Sequence, residues 1–234
     1  MILRKKVAIN GLILVLFIVI FSIFSLAIDT PSFNNESTKI LLKYKQFIPE
    51  KGISIDAQQL INSREAEART HLLVQFNSDL NEDNKKELEN LGIKLVAYIP
   101  NNAWYVSVPN NRVNELLTKN YVRAIDVIQP EYKKSELVRT KNFEQWTLTE
   151  DNGVYLFVKF HRDISLDIAE NLITSFEGIV INRIEFINAL TVLLNQNKID
   201  SISELDEVQW IEEIPPLVED KLDKSKSAIS VNTL

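Results

Sequence analysis

Two histidines are the first side chains to weigh for chemistry in this sequence. His71 and His161 each border the first predicted strand of a repeated unit that is described below. A zinc site needs three or four ligands, and the chain has no cysteine to help complete one. We therefore expect solvated histidines at strand ends and no metal. The lack of cysteine also excludes a thiol nucleophile and a disulfide framework.

The carboxylates and glycines offer no catalytic arrangement either. Glu212 and Glu213 are adjacent, and neighbouring side chains on a strand point to opposite faces, so the two cannot act as a paired acid and base. We interpret them as surface charges. The five glycines form no phosphate-binding loop. The sequence thus predicts a chain that is not an enzyme and that holds no cofactor.

The aromatic residues Trp104, Tyr105 and Trp210 invite comparison with strands that stack on RNA bases. The charge argues against this class of protein. Without the first segment, which contains three basic residues, the chain has 23 Lys and Arg against 32 Asp and Glu, a net charge of −9. A nucleic-acid binder needs a concentrated basic surface. We expect no nucleic-acid partner, and we expect these aromatics to pack in a core.

An uncharged segment, Val7–Ile28, follows the basic residues Arg4, Lys5 and Lys6. It is long enough to span a bilayer as a hydrophobic helix, and the basic flank predicts that the N-terminus stays in the cytoplasm and the rest is translocated. The small residues in Ser25–Ala27 equally suit cleavage by a signal peptidase. Residues 1–28 are therefore a signal peptide or a transmembrane anchor.

Residues 29–70 form a polar leader with one strand-like apolar run at Lys39–Ile48, which predicts a short strand or hairpin. Asn35 begins an Asn-Glu-Ser sequon, a candidate glycosylation site in an exported chain.

Hydrophobic periodicity after residue 70 predicts the same order of elements twice. Strand, helix, two strands around a turn, helix and strand run from 71 to 130, and again from 153 to 216. Gly92 and Gly178, Asn102 and Asn188, and other matched positions keep a constant offset of 86 residues, which indicates a duplication.

This pattern predicts an α+β fold with two tandem ferredoxin-like βαββαβ units after the N-terminal hydrophobic helix. Each unit would form a four-stranded antiparallel sheet with two helices on one face, which leaves the other face uncovered. The charged stretch 131–152 is predicted to be a linker and 217–234 a polar C-terminal tail.

Several segments resemble the tandem propeptide-like, inhibitor-type region of secreted subtilisin-like serine proteases. They are LVQF, YIPNNAWYVSVP, YVRAIDVIQPEYKKSEL, NALTVLL and VQWIEEIPP, and the resemblance extends over 39–234. In that family the proregion precedes a catalytic domain, and Ala228–Leu234 is similar to the approach to it. The family's catalytic Asp, His and Ser motifs are absent, so the chain is expected to be a fragment of a protease precursor or a separate non-catalytic chain.

The resemblance implies a proregion-like function: binding, inhibiting or assisting the folding of a subtilisin-like serine protease, in cis or in trans. A sheet face would dock on the enzyme and the segment after the last strand would lie in its cleft. The candidate cleft residues are Ile214, Pro215, Pro216, Leu217 and Val218. The alternative is a membrane-tethered extracellular interaction or structural module without a protease partner. Either way we expect an extracellular or cell-surface location, with membrane attachment through residues 7–28 unless they are cleaved.

Overall fold

A computed structural model of the protein describes residues 38–216, which contain eleven strands and six α-helices. The strands are β1 (Ile40–Leu41), β2 (Gln46–Phe47), β3 (Gly52–Ile53), β4 (Arg69–Phe76), β5 (Lys94–Ile99), β6 (Ala103–Pro109), β7 (Val122–Val127), β8 (Gly153–Phe160), β9 (Ile179–Ile184), β10 (Ala189–Asn195) and β11 (Val208–Glu213). The helices are α1 (Ile55–Asn62), α2 (Glu82–Asn90), α3 (Val113–Leu117), α4 (Glu136–Thr140), α5 (Leu166–Ser175) and α6 (Ile199–Glu204).

Short polar side chains fix where the three longest helices begin. Ser54, Asn81 and Ser165 precede α1, α2 and α5, and each side chain accepts a hydrogen bond from the backbone N–H three residues further on. Such caps satisfy one of the backbone donors that a first helical turn leaves unpaired. The caps thereby set the start of each helix relative to the strand before it.

The strands form three sheets. The hairpin β1–β2 stands alone, the first sheet has the order β3-β7-β4-β6-β5, and the second has the order β11-β8-β10-β9. All neighbours are antiparallel except β3, which pairs parallel to β7. Strands β4–β7 and β8–β11 share one connectivity, as a duplication requires.

The prediction of two tandem four-stranded ferredoxin-like units is wrong. The fold is α+β, but it has sheets of two, five and four strands. The difference comes from the leader, because Gly52–Ile53 adds a fifth strand to the first sheet, and Ile53, Ala57 and Leu60 then join the core beneath it. The predicted N-terminal hydrophobic helix lies outside the described residues.

Each of the two larger sheets buries one face against helices. The first core contains Leu72, Val74 and Phe76 of β4, and the second contains Leu156, Val158 and Phe160 of β8. Alternate strand residues point to one face, so each run of alternate apolar residues lies under its helices.

The stretch 131–152, predicted as a linker, packs closely on the second sheet. It contains α4, whose Val138 belongs to the second core, and Ser135, whose backbone N–H donates to Ile211 O at 2.9 Å. The described residues belong to one compact unit. None of the helices between residues 38 and 216 is long and apolar enough to cross a membrane.

Candidate functional site

The second sheet has one face under its helices and one face that no helix covers. On β8 the even-numbered side chains are buried in the core, whereas the odd-numbered ones are only half-buried. We call this second side the open face. It consists of Tyr155, Phe157, Ile179, Thr191 and Leu193.

Strand register makes the open face continuous. Leu193 of β10 lies opposite Tyr155 of β8 on one side and opposite Ile179 of β9 on the other, and Thr191 lies opposite Phe157. Directly opposed side chains on antiparallel strands have their Cβ atoms about 5 Å apart. The apolar band therefore crosses three strands without interruption.

The corresponding face of the first sheet is covered by the chain itself. Ile40 and Leu42 of the β1–β2 hairpin pack with Leu73, Ile99 and Ala103 in a third core, where all five are buried. Within residues 38–216, an uncovered apolar sheet face thus exists on the second sheet and not on the first.

The hairpin also borders the open face. Lys43 forms an ion pair with Glu212, and its Nζ lies 4.3 Å from the centre of the Trp210 ring. These contacts lie on the β11 side of the sheet, so the hairpin limits the open face there and leaves β9 and β10 uncovered. Glu213 points the other way and accepts from the Ser135 hydroxyl at 2.8 Å. The two glutamates do point to opposite faces.

Three of the five candidate cleft residues are described. Ile214 follows β11, and its carbonyl oxygen accepts from Trp146 Nε1 at 3.4 Å. Pro215 and Pro216 are exposed. Leu217 and Val218, like the sequon residue Asn35, lie outside the described residues. The chain therefore leaves the second sheet at its β11 edge, where Ile214 contacts Trp146.

A second candidate site is a pair of stacked histidines that joins the two sheets. His71 in β4 and His161 just after β8 lie face to face, with ring centres 4.1 Å apart and planes 6° apart. His71 Nδ1 lies 2.6 Å from Asp206 Oδ2, and its Nε2 lies 2.9 Å from Asp163 Oδ1. Both aspartates belong to the second half of the chain. We call these four residues the histidine junction.

Charge in the histidine junction is concentrated on one ring. Burial lowers the pKa of His71, but hydrogen bonds and attraction from Asp163 and Asp206 outweigh burial and raise that pKa to about 9. His71 is thus an imidazolium. Burial lowers the pKa of His161 well below its usual range, and the positive charge of His71 lowers it further. His161 is therefore neutral.

The expectation of two solvated histidines is wrong, because His71 is 4% exposed and His161 is fully buried. Neither ring suits proton transfer: both nitrogens of His71 are engaged by carboxylates, and those of His161 have neither a hydrogen-bond partner nor contact with solvent. Burial raises the pKa of the neighbouring Tyr105 to about 12. The histidine junction holds the two sheets together and offers no nucleophile.

A cavity of about 470 Å³ opens beside His71. Its lining includes Lys133, whose Nζ donates to Leu205 O at 2.7 Å and whose pKa burial lowers to about 8. Arg64 and Asp206, which also line the cavity, form an ion pair with each other at 3.3 Å. Opposite charges cancel along this lining. No group of three or more metal-binding side chains occurs among residues 38–216.

The aromatic residues weighed for base stacking are in packing contacts. Trp104 packs against the first core and Tyr105 against the third, on opposite faces of β6, and Trp210 is nearly buried beneath Lys43. The prediction that they serve packing is confirmed.

Comparison with known proteins gave a match to part of the chain. A family model described as a domain of unknown function (DUF8729) matches residues 41–129. No curated protein and no solved structure matched the chain. The matched stretch begins within the hairpin and ends two residues after β7, so it spans the first sheet together with β3 and α1.

Proposed function

We propose that this chain is a non-catalytic module that binds a subtilisin-like serine protease, in cis or in trans, as a proregion does. The open face docks on the enzyme, and the segment from Ile214 onward enters its cleft. The observation that carries the proposal is the continuous apolar band over β8, β10 and β9, which no helix of the described chain covers. We further propose that the module acts outside the cell, attached through residues 7–28 unless these are removed.

The position of the tail supports this assignment. Ile214 follows β11 directly, so the chain leaves from the edge of the same sheet that carries the open face. A partner bound to the face is therefore within reach of the tail. An extended peptide in a protease cleft gains backbone hydrogen bonds, and its side chains fill pockets on alternate sides.

The experiment mixes the full-length chain, in detergent, with a panel of subtilisin-like proteases and measures peptide hydrolysis. We expect inhibition at micromolar concentration. Leu193→Glu places a charge in the middle of the open face and should raise the inhibition constant at least about tenfold, which corresponds to about 1.4 kcal/mol of binding. Deleting residues 214–234 should weaken inhibition independently of that face.

Ile55→Glu is the matched control, since Ile55 is an exposed isoleucine at the start of α1, a helix that packs in the core of the first sheet. It should leave inhibition unchanged. Absence of inhibition and of any effect on protease refolding yield would contradict the proposal. In that case, cross-linking that recovers only cell-envelope proteins would favour the alternative, a membrane-tethered interaction module.

A further inference from the structure

Strand β9 is an edge strand whose apolar side chains face solvent. It lies at the end of the second sheet, with β10 on one side and no strand on the other. Ile179 and Ile181 are 58% and 52% exposed, and Phe186, just beyond the strand, is 86% exposed. Exposed apolar edges invite pairing with another strand.

The outer edges at β11 and β5 are protected. The β11 edge is met by Lys134 and Ser135, which pair with Ile211. The outer strand of the first sheet, β5, begins with the exposed Lys94, the kind of residue that discourages edge pairing. Strand β9 has no lysine and no proline.

The one charge in β9 is turned away from the edge. Arg183 Nε lies 3.0 Å from Glu170 Oε1, and its other guanidinium nitrogen binds Asp167, both on α5. The positive charge of the arginine is thus balanced by carboxylates within its own chain, so it does not repel the arginine of an identical strand.

We propose that β9 pairs antiparallel with β9 of a second copy of this chain, about a two-fold axis between Ile181 and Asn182. In this register Ile179 lies opposite Ile184 of the second copy, and Val180 lies opposite its Arg183. The register preserves the two sides of the sheet. Ile179 and Ile184 lie on the side of the open face, opposite Leu193 and Ala189 of β10, whereas Val180 and Arg183 lie on the helix side. Ile181 is a bulge residue with no partner on β10. Because of this extra residue, Ile179 and Ile184, which are five positions apart, lie on the same side of the sheet.

Charge and symmetry favour the same arrangement. Arg183 meets Val180 rather than another arginine, and just outside the strand Glu177 meets Phe186 rather than Glu185. An isologous two-fold contact of this kind closes on itself and does not propagate into a fibre. It joins two four-stranded sheets into one of eight strands and places the two open faces side by side. This inference does not depend on the proposed protease partner.

The absence of cysteine allows a direct test by disulfide trapping in the full-length chain. The double variant Ile179→Cys/Ile184→Cys places each thiol opposite its counterpart in the second copy, at a Cα separation of about 5 Å that suits a disulfide. Within one chain the two positions are about 16 Å apart and cannot bond. Mild oxidation should give a covalent dimer. The control Ile48→Cys/Ile55→Cys carries two exposed thiols outside the second sheet and should remain monomeric.

A second measurement uses no cysteine. Ile181→Lys sets two like charges beside the two-fold axis and should raise the dimer dissociation constant at least about tenfold in sedimentation equilibrium, whereas Ile55→Lys should not change it. Any association through residues 7–28 contributes equally in all variants, so it does not affect the comparison between them. A wild-type chain that is monomeric at roughly 100 μM, equal trapping in the control, or no effect of Ile181→Lys would overturn the proposal. Binding of a foreign peptide at β9 by a monomer would also overturn it.

Discussion

His71 carries a positive charge inside the protein because two aspartates surround it. Its side chain is 4% exposed, so solvent screens these interactions little. Buried ion pairs stabilise a fold only when hydrogen bonds satisfy both partners, and here each ring nitrogen has a carboxylate. Loss of either aspartate would leave the imidazolium short of an acceptor.

The free energy of unfolding should fall as pH rises from 6.5 to 8. The pKa of His71 is about 9 in the folded state against 6.5 unfolded, so the folded state binds more protons in this range. Stabilisation by His71 is fully present below pH 6.5 and is lost on the way to pH 9. We expect the contribution of His71 to fall by roughly 1–2 kcal/mol between pH 6.5 and 8, measured by urea unfolding as the difference between wild type and His71→Gln.

His71→Gln is the control for this pH dependence, and it should remove most of the fall. The window ends at pH 8 because the pKa of Lys133 is lowered to about 8 in the folded state. As pH approaches and passes that value, the unfolded state binds more protons at Lys133, and this contribution to stability rises with pH. On the acid side, the lowered pKa values of His161 and Asp206 make stability fall with decreasing pH. A wild-type curve that is flat from pH 6.5 to 8 would contradict the charge assigned to His71.

Sequence alone did not reveal the histidine junction. Asp206 lies 135 residues beyond His71, and Asp163 lies 92 beyond it, so no local spacing links them. One available signal was that both histidines border the first strand of a repeated unit, but His71 lies near the start of β4 and His161 just after the end of β8, so the repeat does not predict their contact.

At the scale of elements, turn chemistry was predicted well. The Pro-Asn-Asn sequence between β5 and β6 predicted a tight turn, and Asn101 and Asn102 have φ values of 68° and 59° there. The strand β3 was missed because two residues carry no periodicity. The leader run Lys39–Ile48 predicted a hairpin or strand but gave no sign that it would cover the first sheet.

The two matched glycines, Gly92 and Gly178, end corresponding helices for different reasons. Gly92 has a φ of 71°, which favours glycine. After α5 the left-handed residue is instead Glu177, with a φ of 64°. Gly178 is required by space, since an added Cβ would lie 2.7 Å from Ile173 Cγ2.

Gly178→Ala should therefore destabilise the protein by about 1–3 kcal/mol through overpacking against Ile173. Glu177→Gly, one residue away, should stabilise it by up to about 1 kcal/mol because glycine adopts a left-handed conformation without strain. Both changes are measured by urea unfolding. If Gly178→Ala were neutral, close packing of this turn on Ile173 would be disproved.

At the scale of the whole molecule, three sets of contacts tie the two sheets together. They are the histidine junction, the Lys43 contacts to Glu212 and Trp210, and the packing of the 131–152 stretch on the second sheet. The periodic pattern of each half was visible in the sequence. The contacts between the two sheets were not visible in the sequence, because each joins residues that are far apart along the chain.

Thermal unfolding should accordingly show a single transition for both sheets. Amides in β4 and β8 should exchange with solvent at the same global free energy, because opening either sheet breaks the histidine junction. Exchange of backbone amides followed by mass spectrometry would measure this. Two separate transitions in wild-type protein would show that the halves fold independently.

The β1–β2 hairpin has a further meaning for ligand discovery. It is an extended apolar segment that already lies on a sheet face equivalent to the open one, with Ile40 and Leu42 placed two residues apart. The hairpin therefore shows which side chains pack on such a sheet face: branched aliphatic residues at alternate positions of an extended segment. Synthetic peptides that copy this segment, with branched aliphatic residues at every second position, should be the first library to screen for binding to the open face.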